Sequence, residues 1–376
     1  MGNKSVNGKP ASIIFHCPRD FTAKAVSASS IRPHAILGAF RESYEILKVI
    51  GSMPERAQRI DEAIARIKAG ELFEFMYSEL SVAPLNLSNG KKWLFLKYDK
   101  DRQLFRACRK AGIPIGVFYR DAYWLFQDLF NGHPVGKYLY LNEYIRDLRF
   151  FKRYCTAMFG PSEKFCTLLS KKLDLPWYPL PAGTSGKAIS AHKRKPDELR
   201  LLYVGGIGGL YDIRSMIAAV SGKPGVSLRI VARKAEAGKL SEHIEGTANI
   251  IVVNKGPEEL EQEYEDADVC MMYFEPHEYL SIAMPYKLFE YLDHGKPIIL
   301  NKNHGAASFV KRYDAGWVLS SADELSPLLD RLRDEPEEVL RKAENAQRAK
   351  AESTWQHRVR SVGEILTDRS TRGQLL

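Results

Sequence analysis

The stretch Ser281–Asn301, SIAMPYKLFEYLDHGKPIILN, sets a lysine and a carboxylate three residues apart at the start of a short helix. Lys287 and Glu290 then share one helix face near its positive end. The pair suits a nucleotide diphosphate. Lys287 and first-turn amides would meet the phosphates, and Glu290 would accept hydrogen bonds from ribose hydroxyls. Pro285 suits the first helical turn, where its missing N–H costs nothing. Leu288, Phe289 and Leu292 have core-facing helical spacing. Gly295 followed by Pro297 signals the stop, and Pro297–Leu300 reads as a strand entering a sheet. An ordinary surface Lys–Glu pair would share this spacing, so the rest of the chain must decide.

Four further groups could do chemistry. The run Tyr203–Gly209, YVGGIGG, falls between a strand and a helix, where Gly205 and Gly206 let backbone amides approach a phosphate. It is not G-x-G-x-x-G, and no acidic residue stands at a strand end about 20 residues on, which argues against a nicotinamide fingerprint. Arg233 and Lys234 follow the strand ending at Ala232, and are candidates to neutralise a leaving diphosphate beside Lys287. Phe118–Trp124, FYRDAYW, sets Arg120 and Asp121 among Tyr119, Tyr123 and Trp124. Such a polar pair in an aromatic setting suits a sugar, and a buried structural salt bridge is the competing reading. His16 closes the first strand and Arg32 opens the first helix behind Ser27, Ser29 and Ser30, which can cap it. His16, Arg32, Tyr123 and Trp124 are the candidates for an acceptor.

Strands alternate with helices through both halves, which predicts parallel sheets with crossovers. The first series of strands is Ser12–Cys17, Tyr44–Ile50, Leu72–Tyr77, Ile113–Tyr119 and Ala157–Gly160. Pro181–Pro196, PAGTSGKAISAHKRKP, is small, polar and basic, as linkers are. A second series follows: Leu199–Val204, Val226–Ala232, Ile250–Val253, Val269–Tyr273, Ile298–Leu300 and Gly316–Leu319. In doubly wound sheets a ligand sits at the carboxyl ends of the strands, where Gly205, Arg233 and Arg120 all fall.

The 376 residues suit two domains. No apolar run of about 18 residues is present, so no membrane span is expected. The polar start lacks a signal peptide, and five scattered cysteines offer neither a disulfide framework nor a zinc site. A reduced cytoplasmic setting and no metal are expected. The net charge of +9 favours anionic partners. No zinc finger, RNP-type motif or helix-turn-helix points to nucleic acid. The helix at Val135–Arg153 carries Arg146, Arg149, Lys152 and Arg153 with Tyr138, Tyr140 and Tyr144, so it could rest on an anionic bilayer or present a wet basic face.

The segment around Lys287 resembles the donor signature of the large retaining glycosyltransferase family with the GT-B fold, family four-like, many of whose members build bacterial surface polysaccharides. A P-x-K-x-F-E-Y…G-K-P version stands here as Pro285, Lys287, Phe289, Glu290, Tyr291, Gly295, Lys296 and Pro297. The resemblance implies an α/β architecture of two doubly wound Rossmann-like domains facing a central cleft. Residues 1–180 would form the acceptor side, 181–196 a linker and 197–352 the donor side. Residues 353–376 would cross back to the first domain. It implies transfer of a sugar from a nucleotide-diphosphate-sugar to a glycan or lipid-linked acceptor, with retention and without metal or cofactor. Glu290 would hold the donor ribose. Arg120, Asp121, Lys287 and Arg233 would serve the chemistry; Gly205, Gly206, Lys234 and Pro285 would line the donor. The family's sugar-binding Glu, eight residues upstream of Glu290, is Ile282 here, with Glu275 and Glu278 nearby. Gly206 and Tyr211 stand where other members carry Arg and Lys. A nucleotide-sugar epimerase of the same fold and a non-catalytic partner subunit remain alternatives.

Overall fold

A computed structural model describes residues 10–19, 28–87, 99–130, 134–188, 197–240 and 244–368. The chain divides into two compact units, Met1–Pro181 with Trp355–Leu376, and Ala182–Thr354.

Unit 1 holds a six-stranded parallel sheet in the order β2-β1-β3-β4-β5-β6. Its strands are β1 Ser12–His16, β2 Glu45–Val49, β3 Met76–Glu79, β4 Ile115–Phe118, β5 Ala157–Gly160 and β6 Trp177–Pro179. The apolar runs of β1, β4 and β5 are buried, as sheets covered on both faces require. The strand order reverses between β1 and β3, where Ile14 pairs with Met76 and His16 with Ser78.

One expected strand is displaced. The apolar run at Leu72 predicts a strand over Leu72–Tyr77, but β3 spans Met76–Glu79 and Leu72 is 88% exposed. The ladder instead runs into Ser78 and Glu79, both fully buried, because neighbouring side chains satisfy their polar groups. The short β6 is a strand that hydrophobic patterning did not reveal.

The Trp355–Thr367 helix belongs to unit 1 and buries Val359, Val362 and Leu366. It lies so close to the sheet that a Cβ on Gly116 would stand 2.8 Å from Leu366 Cδ1.

Unit 2 holds a second parallel sheet in the order β12-β11-β10-β7-β8-β9. Its strands are β7 Leu199–Val204, β8 Val226–Val231, β9 Ile250–Val253, β10 Val269–Met272, β11 Ile298–Asn301 and β12 Gly316–Leu319. Read from β9, this is the doubly wound 3-2-1-4-5-6 order of dinucleotide-binding sheets, and it switches direction between β7 and β10. Helices at Ala307–Tyr313 and Leu325–Asp334, which the sequence reading passed over, complete the layers. Thr184, in the expected linker, is buried and donates its hydroxyl to the Lys350 carbonyl at 2.7 Å.

Candidate functional site

Unit 2 gathers its polar groups at the carboxyl ends of β7 and β10. The Tyr286–Asp293 helix begins at Pro285, which is the N-cap and lies one position before the first turn. Leu288, Phe289, Tyr291 and Leu292 face the core. Tyr291 ties the helix to the sheet: its hydroxyl accepts the Val204 N–H at 3.1 Å. The helix ends at Gly295 (φ 62°), with the amides of Gly295 and Lys296 bonded to the Leu292 and Tyr291 carbonyls. This stop and the buried face fix where Lys287 and Glu290 emerge.

Lys287 reaches back to the glycine loop. Its ammonium donates to Tyr203 Oη at 3.1 Å and lies over the rings of Tyr203, Tyr211 and Phe274, 4.5, 4.7 and 5.0 Å from their centroids. Surface area makes the residue half-buried, but the ring of aromatic faces leaves the ammonium poorly hydrated. Desolvation pushes its pKa down to about 7, against the pull of Glu290 and Glu236. A Cβ on Gly205, where φ is 145°, would stand 2.7 Å from the ammonium. Only glycine leaves that space. Gly206 is open, and its carbonyl accepts the Tyr203 hydroxyl.

Glu290 is half-buried, and burial raises its pKa. The Lys287 charge and the nearby Tyr264 hydroxyl oppose that rise. The Tyr264 hydroxyl is itself buried and makes no hydrogen bond of normal geometry. Its influence on Glu290 is therefore one of proximity.

Arg233 is exposed and lies 3.8 Å from Glu236; Lys234 is exposed at the start of a one-turn helix. Glu236, not expected from the sequence, accepts the Ile207 N–H at 3.3 Å and so occupies a loop amide. Its only signal was a carboxylate three residues after Arg233. Ile282 is buried, while Glu275 accepts the Ser215 hydroxyl. Two cavities in this unit, of about 260 and 540 Å³, open instead at the amino ends of β7 and β8, around Arg200 and Ser227.

In unit 1 the expected acceptor residues fall into two networks. His16 is fully buried, with Nδ1 2.8 Å from Ser78 Oγ and Nε2 2.9 Å from Asp101 Oδ1. Arg56 grips the same carboxylate at 2.7 and 3.1 Å. Burial works against ionisation of Asp101, but the hydrogen bonds and charges of His16 and Arg56 prevail and hold its pKa at about 2. Both His16 nitrogens are committed, which corrects its expected acceptor role: the residue braces β1 against β3.

Arg32 is also buried, and its Nε donates to Glu79 Oε1 at 3.0 Å. Arg120 does not pair with Asp121 as the sequence reading supposed. Its Nη2 donates to Glu79 Oε1 at 3.1 Å and its Nε to the Leu80 carbonyl at 3.4 Å. Asp121 and Tyr123 are half-buried beside it. The Trp124 indole donates to Tyr119 Oη at 3.0 Å and stacks on Tyr144, 5.5 Å between centroids. Trp124 thus spends its ring on the protein. Glu79 is the residue that sequence reasoning missed, because the misplaced strand left it in a loop. Of the three expected caps, Ser27 lies outside the described residues, and Ser29 and Ser30 fall inside the Ala28–Arg41 helix.

All five cysteines are buried and free. Among the described residues no group of three or more His, Cys, Asp or Glu could hold a metal, and no helix is long and apolar enough to cross a membrane.

Two Rossmann-like units, one of them carrying a glycine loop and a Lys–Glu helix, give the chain the GT-B fold. Residues 265–358, which carry that helix, match the family described as Glucosyltransferase 3-like, C-terminal domain. Sucrose-phosphate synthase from Thermosynechococcus elongatus is similar in structure, with a TM-score of 0.61 at 14% identity over 95% of this chain and 98% of that one. HepE of Anabaena, solved with UDP and glucose, gives 0.61 at 13% identity over 95% and 99%. WaaG, a glycosyltransferase involved in lipopolysaccharide biosynthesis, gives 0.58 at 13% identity over 95% and 99%. No curated protein matches the chain in sequence.

Proposed function

We propose that the protein transfers a sugar from a nucleotide-diphosphate-sugar to a hydroxyl of a glycan or lipid-linked acceptor, with retention, in the building of a cell-surface polysaccharide. The observation that carries this reading is the meeting of Lys287 with the Gly205 loop at the switch point of unit 2. A leaving diphosphate develops negative charge there, and a desolvated ammonium beside first-turn helix amides stabilises it more strongly than bulk water would. Arg233 is placed to swing in from the surface, with Lys234 beside it. Glu290, three residues along the same helix, accepts from the ribose hydroxyls. Protein cations serve the leaving group in this scheme, without metal or cofactor. In unit 1, Arg120, Asp121 and Tyr123 are the residues offered to the acceptor and the reacting sugar.

Three observations favour a second reading, a non-catalytic partner subunit. The loop amide of Ile207 is taken by Glu236, Ile282 replaces the upstream carboxylate, and Arg233 stands in solvent. Acceptor-dependent release of nucleoside diphosphate, measured over a panel of donors, separates the readings. A transferase needs both substrates, an epimerase of this fold turns over without acceptor, and a partner subunit does neither.

The setting we propose is cytoplasmic, with peripheral contact at an anionic membrane. The Pro134–Tyr154 helix supports it. Val135, Tyr138 and Leu139 are 61, 67 and 51% exposed at one end, and Arg146, Arg149, Lys152 and Arg153 are exposed at the other. At 3.6 residues per turn these fall on one face, apolar at one end and basic at the other.

A further inference from the structure

We propose that unit 1 contains a built site for a phosphate-type oxyanion, formed by Arg32 and Arg120, with Glu79 as the internal charge that the anion supplements. Naming the anion as part of a substrate rests on the glycosyl-transfer reading; the site itself does not.

The argument begins with charge. Both guanidiniums donate to one oxygen, Glu79 Oε1, at 3.0 and 3.1 Å, while Oε2 accepts the Tyr77 hydroxyl at 2.7 Å. Glu79 is fully buried and Arg32 nearly so. Glu79 therefore faces two guanidiniums, with the half-buried Asp121 the further carboxylate beside Arg120.

A second observation is independent of that count. Arg32 Nη2 is buried and makes no hydrogen bond of normal geometry among the described residues, although Arg32 lies close enough to the Tyr77 hydroxyl to lower that group's pKa. Buried N–H groups are seldom left unmade in native structures, and a guanidinium fork is shaped for two oxygens of one anion. The fork is held in place: its central carbon sits 3.7 Å from the Phe118 ring centroid, which fixes the plane and offsets part of the charge.

The third observation is position. Glu79 closes β3, Arg120 follows β4, and Arg32 lies on the helix after β1. The sheet order reverses between β1 and β3, and ligands of doubly wound sheets bind outside the carboxyl ends at that point. The Arg120 side chain is 9% exposed and that of Arg32 6%, so both guanidiniums lie largely under the surface.

The same chemistry could come from a phosphorylated acceptor or from the donor's diphosphate. Thermal unfolding of the full chain in inorganic phosphate, against chloride at equal ionic strength, tests the site first. Phosphate raises Tm in the parent by binding the folded state, and Arg120→Gln loses that rise. Glu79→Gln, which removes a nearby like charge, tightens the apparent Kd for phosphate by about tenfold. Circular dichroism checks that each variant folds, and Arg120→Lys, which keeps the charge but not the fork, weakens binding if the glutamine variant does not fold. No phosphate effect in the parent, or one untouched by both the Arg120 and Glu79 changes, overturns the proposal. So does a phosphate effect lost in Lys287→Ala but kept in Arg120→Gln. A phosphate rise that persists and adds to that of saturating UDP assigns the site to the acceptor. A rise abolished by UDP assigns it to the donor. Phosphate binding with no nucleotide binding at all keeps this site while sinking the donor reading.

Discussion

The ammonium of Lys287 fills the space that a side chain at Gly205 would need, 2.7 Å from where its Cβ would stand. Gly205→Ala forces a choice between a strained backbone at φ 145° and a displaced lysine. We expect a loss of about 1–3 kcal/mol in unfolding free energy, read from the urea midpoint. Donor affinity should fall with it, because the lysine moves. Loss of stability with intact donor affinity would detach Lys287 from the phosphates.

Glu290→Ala should weaken nucleotide binding by about 1–3 kcal/mol, the cost of one charged hydrogen-bond acceptor to a hydroxyl. Calorimetry with a nucleoside diphosphate against its 2′-deoxy analogue is the sharper form. The parent should prefer the ribose form, and the variant should not. Equal preference in both proteins removes the ribose role.

Lys287 gives the proposed donor site a pH dependence. Desolvation holds its folded pKa at about 7, below the ordinary 10.5. The cation is present below about 7 and is lost above it, so affinity for a diphosphate should fall as pH rises through neutrality, and Lys287→Met should flatten the curve. Stability moves the other way. Between about 7 and 10.5 the unfolded chain holds the proton that the folded chain has released, so unfolding free energy from this group rises with pH across that window. Parallel pH profiles of parent and Lys287→Met would expose a lysine that titrates normally.

Arg149→Glu combined with Arg153→Glu should reduce co-sedimentation with anionic liposomes and leave binding to neutral ones unchanged. Each basic residue near such a surface contributes about 1 kcal/mol, so reversing two should lower partitioning by more than tenfold. Both side chains are exposed, so folding should not suffer. Identical sedimentation of parent and variant would leave the helix a solvated face.

Much of the scaffold was legible, because burial on both faces makes parallel strands read as apolar runs. Leu199–Val204, Ile250–Val253 and Gly316–Leu319 match their strands to the residue. The Tyr286–Asp293 helix was legible because a proline and a glycine bracket it. The misreadings share a cause: polar groups buried among partners distant in sequence. Ser78 and Glu79 looked like loop residues because nothing local announces the His16, Arg32 and Arg120 that satisfy them. His16 looked like a ligand for the same reason, since its partner Asp101 lies 85 residues on. Glu236 was invisible because its role depends on a loop from another strand.

Unit 1 is assembled from two separate stretches of the chain, with Ala182–Thr354 between them. Its sheet therefore leaves the ribosome without the Trp355–Thr367 helix that covers Gly116 and contributes Val359, Val362 and Leu366 to the interior. During synthesis the strands before Ala182 wait, with that face bare, until the segment after Thr354 emerges. Vectorial translation thus makes completion of the earlier strands depend on a segment made only after all of unit 2, and a nonsense mutation ahead of Trp355 would leave unit 1 unfinished.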